Sequence, residues 1–386
     1  MSRVLRIGSR TVAAGGEPFV IAEIGVNHDG SVARARELVR AAKDAGADAA
    51  KFQMFDADML LSQDAVLAVY QRERGARDPR ELLRGLSLEP AVLGELAAEC
   101  AALGIEPIVT VFSLPLVPIA SVQGWAAFKM ASPDLVNLPL LRAVAALGRP
   151  LIASTGAANR EEVAQAARWL AHLGELAFLQ CTSSYPTADA HAAIGGMHEI
   201  QAITGRPVGY SDHTASVDAG AIAVAAGACI LEKHLTYDRG ASGPDHAASL
   251  DPAQFAEYVR LARRAARMVG ASRKELQEVE RDVRKVSRQS LVAARDIPAG
   301  AFITPADLAV KRPGTGLCAS LFDEIVGRRA ARDIAADRVL VEGDVAMRVE
   351  SMRAESMRVD PMRAETMRVD PMRAEPPRNP APGVMR

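Results

Sequence analysis

Between Pro18 and about Gly270 the chain alternates short apolar runs with alanine-rich amphipathic stretches, and this alternation limits the fold more than any other feature. The runs are FVIAEIG from Phe19, DAAKFQ from Asp48, IEPIVTVF from Ile105, WAAFKM from Trp125, PLIAST from Pro150, LAFLQCT from Leu176, PVGYSD from Pro207 and ACILEKH from Ala228, eight in all. Between them, RARELVRAAKDAG, EPAVLGELAAECAALG, NREEVAQAARWLAHLG and SVDAGAIAVAAG place apolar residues at helical spacing and stop at glycine, the usual end signal of a helix. Eight such units predict an α/β fold, a closed (β/α)8 barrel over residues 1–270; a doubly wound open sheet of that length is the weaker reading.

The pattern then changes. Residues 271–288 are charged at nearly every other position and read as a solvated helical linker. Residues 289–346 carry short β runs, a PAG turn and a Thr304-Pro305 helix start, which predicts a small β-rich domain that needs another surface to lean on. From Met347 a five-residue unit repeats (MRVES, MRAES, MRVDP), matching neither helical nor strand period, so residues 347–386 are expected to be a disordered tail without an enzymatic role. With 46 Lys plus Arg against 47 Asp plus Glu, the net charge of −1 argues against a nucleic-acid partner. No apolar run is long enough for a membrane span. Cys100, Cys181, Cys229 and Cys318 are far apart with no CxxC pair, as expected of a reduced, cytoplasmic protein.

In a barrel of this kind the chemistry gathers at the C-terminal ends of the strands. Those ends carry Glu23 and Asn27-His28, then Lys51 and Gln53, Thr110, Lys129 with Ser132, Ser154-Thr155, Thr182 to Tyr185, Ser211-Asp212-His213, and Glu232-Lys233-His234. The strand middles are Val, Ile, Ala, Leu and Phe, so the polar ends predict a large active site at one mouth. His213 and His234 end adjacent strands. They are close enough to hold a divalent ion at a wet mouth, where two neutral imidazoles with open positions suit carbonyl polarisation, or else to form a hydrogen-bonded pair. Glu23 and Glu232 can anchor waters, transfer protons or form ion pairs with the lysines. Lys51 and Lys129 suit either a Schiff base or a bound phosphate; the hydroxyls of Thr110, Ser132, Ser154 and Ser211 favour phosphate by adding donors around a tetrahedral anion.

At these residues the sequence resembles the sialic acid synthase family, which condenses phosphoenolpyruvate with an N-acylated mannosamine-type sugar. The matching segments are FVIAEIGVNHDGS, DAAKFQ, FKMASPDLVNLPLL, QCTSSYPT, VGYSDHT, ILEKHLTYDR and GPDHAASL, and ARDIPAGAFITPADLAVKRPGTG is similar to the family's C-terminal antifreeze-like (SAF) domain. The resemblance implies a divalent metal (Mn2+, Mg2+ or Co2+) at His213 and His234. It implies a phosphoenolpyruvate site at Lys51, Thr110, Lys129, Ser132, Ser154 and Ser211, and catalytic roles for Glu23, Lys51, Lys129 and Glu232. Sugar contacts are implied at Gln53, Tyr185 and Asp245, with Ser183 standing where many members carry Asn beside the sugar. Arg312 matches an arginine that reaches from a partner subunit's small domain, which implies a domain-swapped homodimer. The expected sugar is N-acetylmannosamine, giving N-acetylneuraminate and phosphate. Legionaminic or pseudaminic acid synthesis is the alternative within the family, and a Schiff-base pyruvate aldolase lies outside it.

Overall fold

Eight parallel strands close on themselves in the computed structural model, which describes residues 4–68, 71–72, 77–271 and 273–346. The chain divides into a first unit, Met1–Arg273, and a second, Lys274–Arg386. The repeat tail from Met347, expected to be disordered, lies outside the described residues. Among those described, no helix is long and apolar enough to cross a membrane.

The first unit opens on a hairpin, β1 (Leu5–Ile7) and β2 (Arg10–Val12), that no apolar run announces. The barrel strands follow: β3 (Phe19–Gly25), β4 (Ala49–Met54), β5 (Glu106–Val111), β6 (Ala127–Met130), β7 (Leu151–Ser154), β8 (Leu176–Cys181), β9 (Val208–Asp212) and β10 (Ile230–His234). Each pairs in parallel with the next, and β10 pairs with β3 to close the ring. Strand parity divides the apolar residues into two layers. One set, including Val20, Phe52, Val109, Phe128 and Phe178, faces the surrounding helices. The other, Ile21, Ala49, Ile108, Ala127, Ile152, Ala177 and Ile230, fills the barrel floor together with Leu5, Ile7 and Val12 of the hairpin, which plug that end.

The helices begin and end where local chemistry dictates. Ser31 caps Val32–Asp44 by accepting from the Arg34 amide. Asn159 and Asp251 form reciprocal capping boxes at the starts of Arg160–Trp169 and Pro252–Val269. Gly104, at φ 69°, ends Pro90–Leu103 in the left-handed region, which costs glycine nothing.

In the second unit, Arg281–Ser287 is an exposed helix, and β11 (Ser290–Ala293) pairs antiparallel with β12 (Leu308–Lys311). Leu291, Ala293, Ile297, Ile303, Leu308, Ile325 and Leu340 make a small core of their own.

Candidate active site

The barrel floor ends one inward-facing position below a polar layer. Two residues above Ile21, Ala49, Ile108, Ala127, Ile152, Leu179 and Ile230 stand Glu23, Lys51, Thr110, Lys129, Ser154, Cys181 and Glu232. Period two therefore turns an apolar plug into a ring of functional groups within one residue pair per strand. The ring lines a cavity of about 330 Å3, to which Gln53, Ser132, Tyr185, Ser211, His213, His234 and Asp245 also contribute. A larger neighbouring cavity of about 450 Å3, lined by Asp29, Arg77, Asp78 and Glu81, shares Gln71 with it but is lined by no lysine or histidine among the described residues.

Lys51 Nζ sits 2.5 Å from Glu23 Oε2 and 3.7 Å from Glu232 Oε2, and donates to Thr110 Oγ1 at 3.2 Å. Lys129 Nζ donates to Ser154 Oγ at 2.6 Å and lies 3.6 Å from Glu232 Oε1. Glu232 Oε1 accepts from Ser211 Oγ at 2.9 Å, Glu23 Oε1 accepts from Gln53 Nε2 at 2.8 Å, and Ser132 Oγ accepts from the Gly156 amide at 2.9 Å. Both lysines and both glutamates are buried.

Burial and unequal charged partners together drive these four groups apart in basicity. It raises the Glu23 carboxyl above its ordinary value, with the Glu232 charge adding to the effect against the pull of Lys51. Burial acts in the same sense on Glu232, but Lys129 and Lys51 outweigh it and hold that carboxyl below the ordinary range. Burial works to discharge Lys51, yet the two carboxylates beside it keep it more basic than usual; Lys129, with weaker partners, is pulled down.

His213 and His234 face each other with ring centroids 5.4 Å apart, and the Tyr185 ring packs on His213 at 4.1 Å. The wet mouth expected for His213 is not what the fold makes: its ring is buried beneath Tyr185, with the residue 4% exposed. His213 Nδ1 contacts the Thr182 carbonyl at 2.8 Å and Cys181 Sγ at 3.7 Å. Burial opposes charge on this ring, but Cys181 and that carbonyl make it more basic than usual, and burial with the cationic neighbours His213 and Lys51 holds His234 well below the ordinary imidazole value. His234 Nδ1 is buried without a hydrogen-bond partner, 3.6 Å from Asp245 Oδ2. Among the described residues no group of three or more His, Cys, Asp or Glu side chains is arranged to hold a metal ion. Two imidazoles, one with an orphaned nitrogen, are a donor set that could hold a divalent ion.

Two further residues expected to contact the sugar are exposed. Ser183 is not among the residues lining the cavity; its hydroxyl packs against Gly156, where an added Cβ would stand 2.3 Å from Oγ and 2.8 Å from that of the cavity-lining Ser132. Arg312 is exposed directly after β12 in the second unit. Two polar strand-end residues expected at the mouth, Asp212 and Lys233, have the opposite parity and point to the outer face of the barrel, where they pair. His28 and His246 serve local structure: Nδ1 of His28 accepts from the Gly30 amide, and His246 bridges Thr236 and Asp29. Conversely, Cys181 lines the cavity although cysteine spacing gives it no role; its signal is the alternation Ala177, Leu179, Cys181 along β8. Gln71, Phe112 and Pro133 come from the connections after β4, β5 and β6, Gln71 with helical backbone and Pro133 in the 3-10 turn Ser132–Val136, beyond the reach of strand periodicity.

The NeuB family model matches residues 38–274, and the SAF domain model matches residues 288–346. An N,N'-diacetyllegionaminic acid synthase from Legionella pneumophila is 37% identical, the match covering 84% of this chain and 93% of that protein. An N-acetylneuraminate-9-phosphate synthase from Mus musculus is 33% identical, covering 76% and 82% respectively. Among solved structures, an N-acetylneuraminic acid (sialic acid) synthetase from Leptospira borgpetersenii superposes with a TM-score of 0.67 at 28% identity, covering 73% of this chain and 95% of that one.

Proposed function

The chain belongs to the NeuB family, and from that membership we propose that its barrel joins phosphoenolpyruvate to the open-chain form of an N-acylmannosamine-type sugar, releasing phosphate and a nonulosonic acid. The observation that carries this reading is the single cavity in which two buried ammonium groups, four hydroxyls and two carboxylates stand beside two facing imidazoles.

Phosphoenolpyruvate is highly anionic, so it competes with Glu23 and Glu232 for Lys51 and Lys129, and the hydroxyls of Thr110, Ser132, Ser154 and Ser211 complete its cradle. C3 of the enol attacks the sugar aldehyde carbon, and the aldehyde oxygen takes up a proton to become a hydroxyl. Positive charge then develops at C2, water adds there, and the tetrahedral intermediate expels phosphate by C–O cleavage to leave the ketone. A divalent cation, which His213 and His234 would hold, would supply Lewis acidity for polarising the aldehyde. The basicities separate the two carboxylates. Glu23, raised by burial and freed when Lys51 turns to the phosphate, accepts the proton of the attacking water; Glu232, held ionised, stays between the lysines and fixes their positions.

Gln53, Tyr185 and Asp245 take the sugar side of the cavity. Whether that sugar is N-acetylmannosamine or a diacylated relative is decided by a phosphate-release assay over a panel of N-acyl sugars. N-acetylmannosamine is the substrate expected to turn over, and a preference for a diacylated sugar would move the chain to legionaminic acid synthesis. Phosphate release with no sugar in the panel would sink the reading. Burial does lower Lys129, as a Schiff-base lysine requires. Borohydride trapping with pyruvate distinguishes the two chemistries, and no adduct is expected because Ser154 and Glu232 already engage the amine.

The active assembly in this reading is a domain-swapped homodimer in which Arg312 from the small unit of a second copy reaches the sugar's N-acyl carbonyl. Arg312→Ala is then expected to lower kcat/KM for the sugar by about 1.5–3 kcal/mol, the range for a charge-assisted bond, and to leave phosphoenolpyruvate binding unchanged. Equal losses for both substrates, or none, would remove Arg312 from the site.

A further inference from the structure

Asp212 and Lys233 sit immediately beside His213 in sequence and His234 in sequence, yet strand parity sends them to the opposite face of β9 and β10. They are register partners across the two strands, with Lys233 Nζ 3.2 Å from Asp212 Oδ2 and neither side chain exposed at all. Both then reach the same residue, the one after His213. Lys233 Nζ donates to the Thr214 carbonyl, and Asp212 Oδ1 accepts from the Thr214 amide at 2.8 Å. The His213 carbonyl is taken by the Thr187 amide at 2.8 Å. Tyr258, from the helix Pro252–Val269, covers the pair with its ring 5.8 Å from Lys233 Nζ. It packs so closely beneath Ala219–Ala225 that a Cβ on Gly220 would stand 2.3 Å from its Cζ.

We propose that the buried Asp212–Lys233 pair is a positioning device, a clamp across β9 and β10 that holds the His213 turn in fixed relation to His234. Stability alone does not account for it. Taking both charges out of water costs several kcal/mol, and apolar replacement of a whole buried pair is often neutral or favourable. What an apolar pair lacks is directed bonds to both polar groups of Thr214, and these fix the backbone that carries the His213 ring. Outer partners of this kind commonly set ligand orientation. The proposal rests on reading His213 and His234 as the metal pair, so its test includes a readout that needs no metal.

The test uses the full chain with Lys233→Met alone and with Asp212→Asn added, because the single variant leaves a buried carboxylate unpaired and can fail to fold. Thermal melting, Mn2+ titration and the 15N-histidine spectrum of metal-free protein are compared with the parent. The double variant is expected to fold, to bind Mn2+ about 10–100-fold more weakly, and to shift or broaden the His213 ring signals while those of His172 and His198 stay in place. Parent-like Mn2+ affinity with unmoved His213 signals in a folded variant overturns the proposal. So does failure of both variants to fold, which makes the pair scaffold. If the parent binds no Mn2+, the metal reading falls and the His213 signals alone decide the clamp.

Discussion

Replacing His213 by glutamine is expected to reduce turnover by about three orders of magnitude or more, with a melting temperature within a few degrees of the parent's. Lewis-acid assistance contributes several kcal/mol, and each 1.4 kcal/mol or so is a factor of ten in rate. Glutamine rather than alanine is the informative change, because the ring is buried against Tyr185 and a truncation would add the cost of a cavity to the loss of a ligand. Parent protein stripped with chelator should match the variant until Mn2+, Mg2+ or Co2+ is returned. Full activity of the stripped protein would remove the metal from the account, and a His213→Gln variant that still bound the ion normally would remove His213.

Glu23→Gln is the second large effect, a fall of about 10²–10⁴-fold, the usual worth of a positioned proton acceptor. The sign of its pH dependence follows from burial, which raises the Glu23 carboxyl above its ordinary value of 4.5. As an acceptor it must be ionised, so kcat should fall as pH drops through that raised value, and the acid limb should lie above the range of a solvated carboxylate. In Glu23→Gln that limb should flatten. An unchanged limb in the variant would transfer the role to another group, with Glu232 the first to examine.

The barrel was legible because parallel strands covered on both faces read as continuous apolar runs. The sequence segments and β3 to β10 differ only by a residue or two at the ends. The hairpin β1–β2 was not legible, since Leu5-Arg6-Ile7 is too short to stand out until the barrel floor it plugs is known. The polar ring was legible as a set, because every strand ends in groups too costly to bury without a purpose. Which of its neighbours face inward was not read from strand ends alone. Position along a strand placed Asp212 and Lys233 at the mouth, while parity puts them outside; the same parity puts Cys181 inside, although a search for cysteine pairs passes over it. The histidine pairing was visible in adjacent strand ends, but burial beneath Tyr185 depends on how the chain turns after β8.

The most direct test of the proposed condensation uses phosphoenolpyruvate carrying 18O in the oxygen between C2 and phosphorus, together with Mn2+ and an N-acylmannosamine. Phosphate is expected to appear only when the sugar is present, in amounts equal to the nonulosonic acid formed, with every released phosphate retaining the label, as C–O cleavage demands. Unlabelled phosphate, or a nine-carbon acid made from pyruvate without phosphate release, would contradict the proposed condensation.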